Sequence, residues 1–410
     1  MKKIFILQNS NVSFELDAEL IYQPSKYDLH LIVNEFGFNA VCARNQNKFY
    51  KEIIITDNFS VENIVNYISQ FIEDNSKINI ITNSEETMPV CGKVRVIMGL
   101  DKNDYSRFYD KDVMKQVLAD STSINIPKYK IFDSARYQNE GPDYIENLLV
   151  DMSYPLFIKP VALYSSINLT KIHNKDELIT WANNNHADAL YEIDQFIDGT
   201  MYHCDSFIKN GNVLFTFVSQ NSRPCYNFTV GEMKGTIVLP AQHPDAILLS
   251  DITEKTLKDM GIPDGGVTHM EVIKTSDNKI YFIEIAHRSP GCLIPKMYLT
   301  HAGINTIASH YLLQIDPDYN PKPERSIYAA WACYPKKPGT IVSLKKPSSL
   351  LTSTVEIEWK FDIGSTIQTY SQFGRDYIGT AFLTNEDFNL LYKDFFATNN
   401  DDLCEIISPS

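Results

Sequence analysis

The 410-residue sequence has no CxxC pair, no GxGxxG within residues 1–105 and no GxxxxGK[ST] anywhere. These absences remove a paired-cysteine zinc site, a dinucleotide fingerprint and a P-loop. Basic surplus is lacking too. The 37 Lys and Arg stand against 51 Asp and Glu, and a net charge of −14 argues against a nucleic-acid partner. No apolar run is long enough to span a membrane. The opening "MKKIFILQNS" has two lysines and only a short apolar run, so it reads as a first β-strand rather than a signal peptide. Low-complexity tracts and repeats are missing. The seven cysteines (Cys42, Cys91, Cys204, Cys225, Cys292, Cys333, Cys404) are odd in number and scattered, as expected of free thiols in a reducing cytoplasm.

What remains is an ordinary globular composition, 44% hydrophobic and 21% charged. The chain is long enough for about two to four domains. Residues 1–105 alternate short apolar runs such as "KIFILQ", "LHLIVNEF" and "INIITNSEE" with helical stretches such as "VENIVNYISQFIED". That alternation predicts a parallel sheet with both faces covered. In "DKDVMKQVLADSTSINIPKYKIFDS", Asp110 can cap a helix whose Val113, Met114, Val117 and Leu118 recur at helical spacing. "YPLFIKP" reads as a short buried strand, and "LYEIDQFIDGTMYHCDSFIKNGNVLF" as a strand, a connector and a hairpin turning at Asn210-Gly211. "DPDYNPKPERS" reads as a linker from residue 318 or so, and the strands beyond it as a smaller β-rich unit. The expected domains are 1–105, 106–317 with a small lid at about 120–200, and 318–410.

Within "THMEVIKTSDNKIYFIEIAHR" (268–288) two alternating runs flank a turn at Asp277-Asn278. A loop centred there pairs residues whose numbers sum to 555, setting Glu271 opposite Glu284, His269 opposite Ala286 and Ile273 opposite Phe282. Met270, Val272, Ile283 and Ile285 then face the core. Like charges directly across a ladder repel, and more so among apolar neighbours. A hard divalent cation arriving with a phosphate substrate, most simply Mg²⁺, relieves the pair; a solvated hairpin edge is the plain alternative.

Two lysines and an arginine accompany the pair. Lys111 opens the amphipathic helix and Lys159 ends the run "PLFI". Either alone reads as solvated, but with a carboxylate pair they suit a triphosphate. Ser165 and Ser166 in "PVALYSSINLT" offer donors to phosphate, although no glycine eases close approach there. Arg288, four residues beyond Glu284, suits a transferring phosphoryl group or a structural ion pair. His269 shares the glutamates' face and is a candidate to bind a carboxylate or accept a proton, or a satisfied core histidine. His203 and Asp205 alternate on one strand face, and Arg223 in "NSRPCYNF" is a carboxylate anchor or a solvated loop residue.

The ordered series "DKDVMKQVL", "YPLFIKP", "DQFIDGTMYHCD", "HMEV" and "IEIAHR" resembles the ATP-grasp superfamily over residues 1–315 or so. The resemblance implies an α/β and α+β multidomain fold: a Rossmann-like pre-ATP-grasp domain, an ATP-grasp domain and a β-rich C-terminal subdomain. It implies that Lys111 and Lys159 contact ATP phosphates and that Asp194, Gln195, Phe196 and Ile197 offer backbone groups to adenine. It further implies that Glu271 and Glu284 hold Mg²⁺ or Mn²⁺. Where many members have a ribose-binding glutamate this chain has Met201, with Asp205 or His203 as substitutes. Where many have a third metal ligand it has Ala286, a small residue similar to the carboxylate–amine ligase branch that includes dipeptide-forming L-amino-acid ligases.

That branch implies ADP-forming ligase chemistry: a carboxylate is phosphorylated to an acyl phosphate, shielded from water by a lid, and attacked by an amine. The substrates would be a small carboxylate and an amine, in a protein free of membrane and nucleic acid and admitting a homodimer. Two other readings stand beside it. One is a catalytically decayed nucleotide-binding regulator. The other is a carboxylase-type subunit, although no "MKM" biotin-carrier motif is present.

Overall fold

A computed structural model describes residues 1–11, 14–72, 78–161, 169–184, 190–324, 326–345, 351–372, 374–400 and 404–407. The first strands are β1 (Lys2–Gln8), β2 (Tyr27–Val33), β3 (Glu52–Ile55) and β4 (Ile78–Ile81), a parallel sheet of order β3-β2-β1-β4. Between and after them lie α1 (Glu35–Ala43), α2 (Val61–Ser69) and α3 (Met88–Ile97), with Asn34 and Ser60 capping the first two through their side chains. Ile4, Ile6, Leu29 and Leu31 pack on one face, Phe5, Leu7, Ile32 and Ile80 on the other, which is why these strands read as unbroken apolar runs. The loops beyond the carboxyl ends of β1 and β4 carry Ser10, Glu15 and Asn83–Glu86 to the cleft described below.

Helix α4 (Lys111–Val117) starts where expected, the Asp110 side chain accepting from the Asp112 and Val113 amides. Met114 and Leu118 are buried, whereas Val117 is exposed, so the apolar stripe is narrower than its spacing suggested. A second sheet follows: β5 (Tyr129–Asp133), β6 (Leu156–Pro160), β7 (Thr170–Ile172) and β8 (Leu190–Gln195), antiparallel in the order β5-β8-β6-β7. Helices α5 (Ser134–Glu140), α6 (Pro142–Leu148) and α7 (Lys175–Asn184) cover one face around Phe132, Ile158, Leu178 and Ile193.

The main sheet is built from β9 (Thr200–Lys209), β10 (Asn212–Asn221), β11 (Lys234–Val238), β12 (Gly265–Lys274) and β13 (Ile280–Ala286), with α8 (Pro244–Met260) packed on it. The hairpin turn of β9 and β10 is at Asn210-Gly211, both at positive φ, as two-residue hairpin loops require. After α9 (Ile294–Ala302) and α10 (Thr306–Ile315) come β14 (Tyr328–Pro335), β15 (Gly339–Leu344), β16 (Thr354–Trp359), β17 (Thr366–Ile367), β18 (Tyr377–Asn385), α11 (Phe388–Asn400) and β19 (Cys404–Ile407).

The expectation of a separate β-rich end unit is corrected here. The eight-stranded sheet runs β13-β12-β9-β10-β11-β14-β18-β16, so it continues straight across the 317/318 linker, and among the described residues beyond it only β17-β15-β19 form a sheet of their own. The reason lies in β14: every residue of "YAAWACYP" is buried and both its edges are hydrogen-bonded, which makes it a central strand that needs β11 as a neighbour.

Candidate active site

The facing glutamates are real, by way of two irregularities that offset each other. Glu271 pairs with Glu284 and His269 with Ala286, but Ile273 pairs with Tyr281 and Val272 with Phe282, not in the register expected. The loop is one residue longer than a two-residue turn: the Thr275 amide bonds to Lys279 O, and Asn278 takes the left-handed conformation that closes it. A bulge at Ile283 then restores the offset before Glu284. Ile283 consequently leaves the core for the site side, beside Ile197, Met201 and Ile273, while Phe282 takes its place inside. The free edge of β13 is covered by Asn125, which bonds to Ile280 and Phe282.

Two cavities meet at the glutamates. One, of about 120 Å³, lies between the second sheet and the hairpin and is lined by Lys111, Lys159, Gln195, Phe196, Ile197 and Tyr226 among others. The other, of about 250 Å³, lies between the N-terminal domain and the main sheet and is lined by Glu85, His203, Lys234, His269, Arg288 and Arg375 among others. Glu271, Glu284 and Cys225 line both. The glutamate side chains are 16% and 30% exposed. Lys111 Nζ lies 3.4 Å from Glu284 and His269 Nε2 3.6 Å from Glu271. Burial acts to raise the Glu284 carboxyl, but Lys111, Lys159 and Arg288 outweigh it and hold it below the ordinary range. Two hard oxygen donors shared between the cavities fit a divalent cation. Cys225 is no nucleophile: burial, with Glu271 beside it, pushes its thiol well up.

The smaller cavity has an aromatic and aliphatic wall. Phe157 and Tyr226 meet edge to face at 5.2 Å, Lys171 Nζ caps the Phe196 ring at 3.7 Å, and Met201 is buried with Ile197 and Ile273. Behind it lies a charge network that the sequence reading missed. Lys159 Nζ reaches Glu192 at 2.6 Å and Asp194 at 2.9 Å; Lys115 Nζ reaches Glu192 at 2.7 Å and also bonds Asp194. Glu192 and Asp194 alternate on β8 and so share a face, which is the one signal that could have exposed the pairing. Burial acts to raise the Glu192 carboxyl, yet the two lysines bring it down to about 2. One of its oxygens, Oε2, has no partner among the described residues.

Other expected residues are placed differently. Lys159 is inside β6 and buried, not at a solvated strand end. The amides of Gln195 and Phe196 donate to Lys128 and Pro155 and are not available to a base. Ser165 and Ser166 lie outside the described residues. Arg223 pairs with Glu232 at 2.6 Å, both well exposed, and is not among the residues lining either cavity. Asp205 is 0% exposed and cannot reach a ribose. It accepts from His203 Nδ1 at 2.7 Å, His269 Nδ1 at 2.6 Å and Tyr298 OH at 2.6 Å. His203, Asp205 and His269 lie close enough to hold a cation, yet both Nδ1 atoms are already bonded to Asp205, and His203 Nε2 has no partner among the described residues. Burial opposes a charge on His269, but Asp205 and Glu271 carry it up to about 10, which among the expected roles favours binding a carboxylate over accepting a proton. Arg288 bonds Glu85 Oε2 at 3.0 Å and thereby ties the hairpin to the N-terminal domain.

Comparison with known proteins adds the following. A family model described as D-ala D-ala ligase C-terminus matches residues 118–310. A D-alanine–D-alanine ligase of Natranaerobius thermophilus is 24% identical over 214 residues, covering 48% of this chain and 55% of that relative. The chain thus spans about half of that relative's length. Among solved structures, an L-amino acid ligase from Bacillus licheniformis superposes with a TM-score of 0.70 at 17% identity, covering 100% of this chain and 99% of that one. An N5-carboxyaminoimidazole ribonucleotide synthetase from Thermotoga maritima gives 0.61 at 13% identity, with 100% of both chains covered. At these identities the structural likeness speaks for the fold.

Proposed function

We propose, on the premise that the chain is a member of the ATP-grasp superfamily, that it is an ADP-forming ligase joining a small carboxylate to an amine. The observation that carries the proposal is the meeting of the two cavities at Glu271 and Glu284. An apolar slot walled by Phe157, Phe196, Met201 and Tyr226 suits a nucleotide base, and a polar cleft on the far side suits the substrates being joined.

In this reading Glu271 and Glu284 would hold Mg²⁺ or Mn²⁺, and Lys111 and Lys159 would take the phosphates of ATP. The bound nucleotide and metal supply the phosphoryl group and the charge neutralisation that turn a carboxylate into an acyl phosphate. The protein's own residues orient and protect. Lys111 is already held over Glu284, Arg288 is braced by Glu85, and His269 is fixed as a cation by Asp205. Such fixed charges cost little reorganisation when negative charge develops. With the Gln195 and Phe196 amides donating into the sheet, the adenine edge falls to the Gln195 carbonyl and Ile197. The second sheet with its flanking residues, about 120–200, is the proposed lid; 1–105 and 106–317 are proposed domains, and 318–410 a β-rich subdomain whose β14, β18 and β16 extend the main sheet. We place the protein in the cytoplasm and leave room for a homodimer.

The test is release of phosphate and ADP on incubation with ATP, Mg²⁺ and mixtures of amino acids. Release of AMP and pyrophosphate instead would remove the mechanism. Engagement of Lys159 by Glu192 and Asp194 favours the second reading, a nucleotide-binding regulator. Tight ATP binding without turnover on any amino-acid pair would decide for it.

A further inference from the structure

We infer that His203, His269 and Glu271 form a second cation site, for a divalent transition metal of zinc's class. The ligating atoms are Nε2 of each ring and Oε1 of the glutamate. The site is independent of the ligase chemistry proposed above, and Glu271 is the one residue it shares with the glutamate pair. On the sheet the placement is a square: His203 is the direct cross-strand neighbour of Glu271, and Asp205 that of His269. Residues two apart on a strand share a face, so all four side chains rise from the same one. His203, His269 and Glu271 line the larger cleft, which gives an ion its way in.

Asp205 fixes how the rings stand. It is 0% exposed and accepts from His203 Nδ1 at 2.7 Å and His269 Nδ1 at 2.6 Å. Tyr298 OH, itself bonded to Ser219 Oγ at 2.9 Å, donates to the same carboxylate at 2.6 Å. A carboxylate can only accept from the rings, so each Nδ1 carries its hydrogen and Nε2 is the atom left to offer. A carboxylate behind the imidazole is the usual support of a metal-ligating histidine, and here one carboxylate supports two. His203 is 2% exposed, and its Nε2 has no partner among the described residues. A plain buried ion triad accounts for the two Nδ1 bonds but not for that atom.

The spacings suit one ion. Bonds of about 2.0–2.1 Å to four-coordinate zinc put two imidazole centroids about 5 Å apart, and neighbouring N and O ligands about 3.4 Å apart. The His203 and His269 ring centroids are 5.3 Å apart, and His269 Nε2 is 3.6 Å from Glu271 Oε1. Two imidazoles with one carboxylate suit zinc, cobalt or nickel better than magnesium, which prefers oxygen ligands alone. An ion there takes the place of the His269 Nε2 proton, so Asp205 keeps a positive charge before it.

Zn²⁺ is titrated calorimetrically into the full chain without nucleotide, for the wild type, His203→Gln and Glu284→Gln. One Zn²⁺ per chain is expected, bound about 100-fold more tightly than Mg²⁺. His203→Gln should weaken it at least tenfold, and Glu284→Gln should change it less than threefold. A wild type without tight Zn²⁺, or equal affinity in His203→Gln, overturns the inference. A tenfold loss in Glu284→Gln overturns it too, because the ion then sits on the glutamate pair. Should His203→Gln fail to fold, the proton NMR spectrum of the wild type loaded with Co²⁺ decides. Two exchangeable Nδ1–H signals shifted by the paramagnetic ion are expected, one from each ring held by Asp205. One such signal or none overturns the site.

Discussion

The two cavities bury polar groups in opposite ways. Behind the smaller cavity, Lys115 and Lys159 face Glu192 and Asp194, and two cations are closed against two anions. In the larger cleft Trp331 and Asn221 are buried, each with one polar atom unbonded among the described residues. A closed charge set holds a scaffold in one arrangement, while an open set is stabilised only by something that arrives. Glu271 and Glu284 stand between the two, partly exposed and partly countered by Lys111 and His269.

The largest expected effect lies at that boundary. Glu284→Ala, and Glu271→Ala likewise, should lower turnover by about 10³-fold, since charge stabilisation at a metal site is worth several kcal/mol. Mg²⁺-dependent nucleotide affinity should fall more than the thermal midpoint does. Normal turnover in both variants would dissolve the contrast between the cavities.

Next comes the closed network. Glu192→Ala leaves buried lysines with half their countercharge and should destabilise by about 3–5 kcal/mol, measured by urea unfolding. The pH dependence has a definite sign. A carboxyl lowered from 4.5 to about 2 contributes stability above the higher value, and loses it as pH falls towards the lower. Wild-type stability should therefore drop steeply below pH of about 4.5, and Glu192→Gln should flatten that limb. An unchanged acid limb would mean the network is not closed in solution.

A smaller effect is expected at Asp205. Asp205→Asn removes the anion that orients His203 and His269, and should weaken Mg²⁺ dependence of turnover by about 10–100-fold, the range for partners standing behind ligands. Full Mg²⁺ affinity in that variant would make the buried network merely structural. The smallest is Arg223→Ala, which should change stability by less than about 0.5 kcal/mol and leave turnover alone, because its pair with Glu232 is solvent-exposed.

Legibility in the sequence followed distance along the chain. The parallel N-terminal sheet was readable because each strand announces itself by apolar runs a few residues long. The glutamate pair was readable because its partners share one hairpin, even though the longer turn and the bulge each shifted the ladder by a residue. Lys115 escaped notice because it sits on a helix while its partner Glu192 is 77 residues away on a strand of the second sheet. Asp205 looked like a pocket residue because strand alternation reveals a face but not its depth. Arg223 carried no pattern, and its surface position emerged only with the fold.

Residue types and their alternation were enough to demand that charged groups set in apolar strands find counterions, because an isolated ion in a low dielectric is too costly to bury. They also confined Glu271 and Glu284 to a shared face. Which counterion each charge meets, whether β14 closes its own sheet or extends the main one, and which polar atoms stay open for a ligand were settled by strand order and packing. Those depend on contacts between segments far apart in the chain, and no local pattern encodes them.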